Sequence, residues 1–159
     1  MKSVVEGEIN LPQQEVAELF ADPRNMPKWM HDLARYEPIS GKAGMSGSTS
    51  RLVPKEGDML FVATVVERNL PDELKLDLKA SDVDVTVTTT LTALSAARTQ
   101  LVSEQVFTFK GADDATISPA AKNAIEALHR RHIEDFKHFA ETYEHEMGNA
   151  LSGGQKLSL

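Results

Sequence analysis

Between Glu73 and Leu91 the chain alternates apolar and polar residues almost without interruption, and this limits what it can fold into more than any other feature. Leu74, Leu76, Leu78 and Ala80 share one face of an extended segment, with Glu73, Lys75, Asp77 and Lys79 on the other. After a turn at Ala80–Asp82, Val83, Val85, Val87, Thr89 and Leu91 oppose Asp84, Thr86, Thr88 and Thr90. A period of two sustained over both runs predicts neighbouring antiparallel strands, one face on an apolar interior and the other in water. A slip of one residue would turn the whole apolar set outward, so Leu74, Leu76, Leu78, Val83, Val85 and Val87 are all expected to face inward.

The flanking segments extend this sheet and give it a partner. Turn-forming clusters at 41–44, 54–57, 70–73, 80–82 and 95–97 punctuate residues 33–110 at hairpin spacing, which predicts about six antiparallel strands. Residues 3–9 read as a further strand with Val5, Gly7 and Ile9 on one face. Asn10–Pro12 starts a helix carrying Val16, Leu19 and Phe20 at helical spacing, and Asp22–Pro23 stops it. A second short helix or turn is expected over Arg24–Met30. The segment Asp58–Glu67 is apolar on both faces, so a cover over its outer side is expected. Ser118 and Pro119 form a helix start, and a single helix is expected to run from there to Met147, with Gly148 as its stop. Its apolar stripe reads Ala121, Ile125, Leu128, Phe136, Phe139 and Tyr143, with His132 inside the stripe and His129 at its edge. One domain is expected over 1–148, followed by a flexible tail over 149–159, which is small and polar in composition. The economical packing of these elements is α+β. A curved antiparallel sheet of about seven strands wraps around the long C-terminal helix, with two short helices between strands one and two.

Composition removes several function classes. With 17 basic against 24 acidic side chains the formal charge is −7, so neither nucleic acid nor anionic lipid is an expected partner. The absence of cysteine excludes disulfides, thiolate catalysis and Cys-based zinc sites. The most apolar run, Met59–Val66, is far short of the roughly 20 residues of a spanning helix, so no membrane insertion is expected. The first ten residues hold no apolar signal region, and a cytoplasmic protein, monomer or homodimer, is the expectation.

The series Val16, Leu19, Phe20, Asp22, Pro23, Met26, Pro27 and Trp29 after the first strand, with Val65–Glu67 before the Leu70–Pro71 turn, resembles the START-like helix-grip superfamily. That superfamily includes polyketide cyclase/dehydratase-like and lipid-transport proteins and birch-pollen-allergen-like plant proteins. The resemblance covers residues 3 to 146. It implies an elongated, largely apolar cavity between sheet and long helix that takes lipids, polyketides or other hydrophobic small molecules. The shared residues are packing residues, so the resemblance carries over no catalytic residue.

Cavity walls are expected from Phe61, Leu76, Val85, Val87 and Phe107 on the sheet and from Leu128, His132 and Phe136 on the helix. Trp29 either stacks on a ligand at the cavity mouth or wedges into the core. His132 either meets a ligand hydroxyl or carbonyl or bonds to a strand. In a cavity, Arg51 would anchor a carboxylate and Tyr36 a carbonyl; both also suit solvated positions. His129 and His132 lack a convergent third ligand, while His138, Glu141 and His145 fall on the solvated side, so no metal is expected. Leu151–Gln155 spells the signature peptide of transporter ATPases, yet no phosphate-binding glycine loop accompanies it, and no cofactor is expected. Gly44–Gly47 lacks the final glycine of a nucleophile elbow. These readings favour binding of a hydrophobic small molecule. The alternatives are a polyketide cyclase/aromatase-like enzyme exchanging protons through His132 or Tyr36, and a scaffold whose cavity is closed by side chains.

Overall fold

In the computed structural model the backbone is described for residues 1–158 and the side chains for residues 1–143. Seven strands, β1 (Lys2–Ile9), β2 (Leu33–Ser40), β3 (Thr49–Pro54), β4 (Phe61–Asn69), β5 (Glu73–Lys79), β6 (Val83–Ser95) and β7 (Arg98–Phe109), form one antiparallel sheet in the order β1-β7-β6-β5-β4-β3-β2. Helices α1 (Gln13–Ala21) and α2 (Met26–Trp29), separated by a 3₁₀ turn at Pro23–Asn25, carry the chain from one sheet edge to the other. Helix α3 (Pro119–Ser158) closes the fold. The α+β helix-grip architecture expected from the sequence is the one observed.

Local chemistry explains the joints. Gln13 opens α1, and its amide nitrogen donates to Leu91 O at 2.9 Å and Asp72 Oδ1 at 3.0 Å, tying the helix to the sheet it crosses. The Asp22 carboxylate accepts from the Arg24 backbone N–H at 3.0 Å and caps the 3₁₀ turn. In the β2–β3 loop, Gly41 and Gly44 take φ of +76° and +80°, and a Cβ at Gly41 would lie 2.9 Å from Ser48 Cα. Only glycine fits there without strain.

The alternation in β5 and β6 holds. Leu74, Val83, Val85 and Val87 are buried, while Leu76 and Leu78 are half-buried; none of the six is exposed. In β4 a register shift between Val65 and Glu67 turns Val66 outward, where it is 40% exposed, so the expected cover over this strand is absent. The bulge accounts for the misreading, because it breaks the period that the apolar run disguises.

The helix face is rotated from the expected stripe. Among the described residues His129, Ile133, Phe136 and Ala140 are the buried positions of α3, whereas Ala121 is exposed and Leu128 is 42% exposed. The helix also passes Gly148 without the expected stop; a helical glycine costs only about 1 kcal/mol relative to alanine, and no proline follows to break the helix. The expected tail over 149–159 lies outside the residues whose side chains are described.

The main core joins β1, β6 and β7 to all three helices through Val5, Ile9, Val16, Trp29, Leu91, Leu101 and Phe136. Phe136, fully buried, stands edge-on to Phe20 at 5.0 Å and to Trp29 at 5.3 Å between ring centroids. It is the residue that locks α3 to α1 and α2. Phe136→Ala is expected to cost about 3–5 kcal/mol, the usual loss for a large aromatic removed from a closed core. Urea unfolding of the variant against the parent chain checks this.

Candidate functional site

A pocket opens between the concave face of the sheet, α2 and α3. Its sheet wall comes from alternating inward positions: Leu52 on β3, Ala63 and Val65 on β4, Leu74, Leu76 and Leu78 on β5, and Val87 on β6. Phe20, Met26, Trp29 and Met30 form the wall opposite, and His129, His132 and Ile133 come from α3. The free space among these side chains is ≈ 90 Å³. Polar groups are few: Tyr36, Ser48, Ser50, Ser103, Gln105 and the two histidines.

Of the residues expected at the site, Trp29, Tyr36, Leu76, Val87 and His132 border this pocket. The other six do not. Phe136 is enclosed in the main core, and Leu128 projects to solvent. Arg51 is exposed on the outer face and pairs with Glu37 at 3.5 Å. Phe61, Val85 and Phe107 face inward beyond the pocket, in an apolar cluster at the end of β5 and β6 with Ala80 and Val83.

His129, rather than His132, is the fully enclosed histidine. It is 1% exposed, with Nδ1 2.8 Å from Ser3 Oγ and Nε2 2.9 Å from Ser103 Oγ. Burial, with smaller contributions from nearby His132 and Arg130, brings its pKa down from 6.5 to about 4. The imidazole is therefore neutral at pH 7, one nitrogen donating and the other accepting. His132 sits at the rim, its Nε2 2.7 Å from Oδ1 of the exposed Asp32. One turn away His31 Nδ1 meets Asp135 Oδ2 at 3.3 Å, so two histidine–aspartate contacts clip the chain after α2 onto α3.

Trp29 is wedged into the core, as one of its two expected placements has it, and it also borders the pocket. It is 5% exposed and stacks on Phe20 at 5.9 Å. Among the described residues its Nε1–H has no hydrogen-bond partner, and neither does the buried hydroxyl of Thr89, which lies opposite Ser103 in the β6–β7 register. Burial, with the negative charge of Asp22, pushes the Tyr36 phenol above its ordinary pKa, which keeps it a hydrogen-bond donor at neutral pH. Among the described residues no three His, Asp or Glu side chains converge as a metal site, and no helix is long and apolar enough to cross a membrane. The side chain of His145 lies outside the described residues.

Residues 1–141 match the family described as polyketide cyclase / dehydrase and lipid transport. The chain belongs to this family. Solved structures show the same fold. The Zhui aromatase/cyclase from Streptomyces sp. R1128 superposes with a TM-score of 0.71 at 19% identity, covering 89% of this chain and 94% of that one. Ara h 8.0201 gives a TM-score of 0.70 at 13% identity over 88% and 97% of the two chains. A START superfamily protein from Mycobacterium smegmatis gives 0.69 at 12% identity over 92% and 98%. No curated protein sequence matches the chain.

Within this family member, the sequence reading missed the polar residues of β7. The signal was present: Leu101 and Phe107 set the inward parity of the strand, and Ser103 and Gln105 lie between them on that parity. Missing His129 has a different cause, since its burial depends on two serines far away in the chain.

The depressed pKa of His129 links stability to pH. Between pH 6.5 and about 4 the unfolded chain binds a proton that the folded chain excludes. Stability contributed here is complete above the unfolded value and is lost as pH falls through the folded one, by on the order of 3 kcal/mol. Urea midpoints measured from pH 7.5 down to 4 will fall steeply in the parent chain. In His129→Gln the same series will be shallower by that single-proton component.

Proposed function

We propose that this protein binds a compact hydrophobic small molecule in the pocket between sheet, α2 and α3. The observation that carries the reading is the wall itself: apolar side chains on three sides, with a few hydroxyls and two imidazoles among them. Apolar lining supplies affinity and isolated polar groups supply orientation, the usual division in small-molecule sites. A free space of ≈ 90 Å³ is below the roughly 300–1,000 Å³ of drug-sized ligand sites, so a ligand of one or two rings is the best fit. Larger ligands require Met26 and Met30 to move, and unbranched thioether side chains adapt readily.

A cyclase- or aromatase-like reaction is the second reading, favoured by Tyr36 and His132 bordering the same space. Proton exchange with a bound polyketide would fall to Tyr36 as donor and to His132, already oriented by Asp32. Binding comes first in either case. Catalysis needs an acid and a base in contact with the same reacting atom, and the two side chains have no hydrogen bond to each other among those described. Binding is therefore the stronger reading.

Filling the pocket tests it. Ala63 is buried in the wall, and Ala63→Phe is expected to weaken binding at least tenfold while costing about 1–3 kcal/mol through overpacking. Native mass spectrometry of the purified chain should show a small added mass that this variant loses. Absence of any added mass, together with Trp29 fluorescence unmoved by small apolar compounds, would overturn the reading.

A further inference from the structure

Ser3, His129 and Ser103 form a chain of three groups that runs from the outside of the pocket to its wall. Ser3 on β1 is 4% exposed and does not border the pocket; Ser103 on β7 does. Between them the imidazole of His129 contacts one serine through each ring nitrogen, at 2.8 Å and 2.9 Å. No other side-chain hydrogen bond engages either hydroxyl among the described residues.

This arrangement has two states of equal charge. In the first, Nε2–H donates to Ser103 Oγ and Nδ1 accepts from the Ser3 hydroxyl. Ser103 then keeps its own O–H free to donate into the pocket. In the second, the ring proton is on Nδ1 and is donated to Ser3 Oγ, while Nε2 accepts from Ser103. Ser103 then offers only lone pairs. The two states differ in which ring nitrogen carries the proton and in the rotation of two hydroxyls. The proton lost from one nitrogen and gained at the other is exchanged with solvent when the interior opens, and neither state places a net charge in the apolar interior. The low pKa of His129 is consistent with both, because it keeps the charged form out of reach at neutral pH.

Resting on the pocket as a binding site, we propose that this relay makes Ser103 an adaptable polar contact, so that the pocket accepts both hydrogen-bond acceptors, such as a ring ketone, and donors, such as a ring N–H or phenol, on the same kind of compact skeleton. Ser3 is the positioning residue. It touches no ligand, yet it supplies the partner that each tautomer needs on the far side. Without Ser3 the Nδ1–H state would hold an orphaned buried donor, which proteins tolerate less well than an unused acceptor. Removing Ser3 therefore biases the ring towards Nε2–H and biases the pocket towards acceptor ligands.

The experiment uses two bicyclic probes of near-equal size, 1-indanone (acceptor only) and indole (donor only), with the full chain. Isothermal titration is expected to give dissociation constants within about tenfold of each other. The ¹⁵N shifts of the His129 ring are expected to report Nε2–H with 1-indanone and Nδ1–H with indole. In Ser3→Ala the preference for 1-indanone over indole should rise at least fivefold, and Ser3→Thr should restore the parent ratio. The same tautomer with both probes, or an unchanged ratio in Ser3→Ala, would overturn the relay while leaving the pocket intact. The tautomer readout on the parent chain does not depend on whether the variant folds. Failure of both probes to bind the parent chain would instead overturn the pocket reading itself, and the relay with it.

Discussion

The structure depends on α3 being gripped by the sheet along one part of its length. Phe136 closes against Phe20 and Trp29, and Ile133 and Ala140 join it in the same core with Val5 and Ile9 of β1. Lys137 Nζ donates to Glu8 O at 2.6 Å and Glu141 accepts from Asn10 N–H at 2.8 Å, so the end of the edge strand is bonded to the same stretch of helix. Towards the N-terminus of α3 the contact loosens: Leu128 and Ala121 are exposed, and Phe107 and Phe109 beneath remain half-buried. An antiparallel sheet that twists away from a straight helix cannot touch it everywhere. The pocket is the space between the part that is gripped and the part that is not.

That geometry also sorts the polar groups. His129, where helix and sheet meet closely, is fully partnered through Ser3 and Ser103. Two groups of the closed interior are not: among the described residues the Trp29 N–H and the Thr89 hydroxyl have no partner, a cost of about 1–3 kcal/mol per group. The two histidine–aspartate contacts lie at the boundary with solvent, where such pairs contribute little to stability but hold the segment after α2 in place.

The legible part of this chain was the part governed by short periods. Alternation in β5 and β6 placed all six inward residues, and the Ser118–Pro119 start of α3 followed from capping chemistry alone. The helix face was less legible because Leu128 and His129 are neighbours about 100° apart, and hydrophobicity favours the leucine. His129 shares the buried face with Ile133, Phe136 and Ala140, and two serines, one on β1 and one on β7, satisfy both nitrogens of its imidazole. Val66 was misread for a related reason: a bulge is invisible in a run that is apolar at every position. For His129 the deciding contacts are with residues far away in the chain, which no local pattern records.

The same reasoning explains why family membership says so much about architecture and so little about the ligand. The segment from Val16 to Trp29 forms the grip: Val16 and Trp29 are core residues, and Phe20 packs on Phe136. That packing keeps the pocket in existence without specifying its polar lining. Ser103 and Gln105 occupy inward positions of β7 that any small or polar residue could fill without disturbing the strand. Their chemistry is free to change while the aromatic lock at Phe136 is not. The solved structures share this fold at 12–19% identity, so the architecture does not require most of this chain's side chains, and a ligand has to be argued from the pocket's own residues.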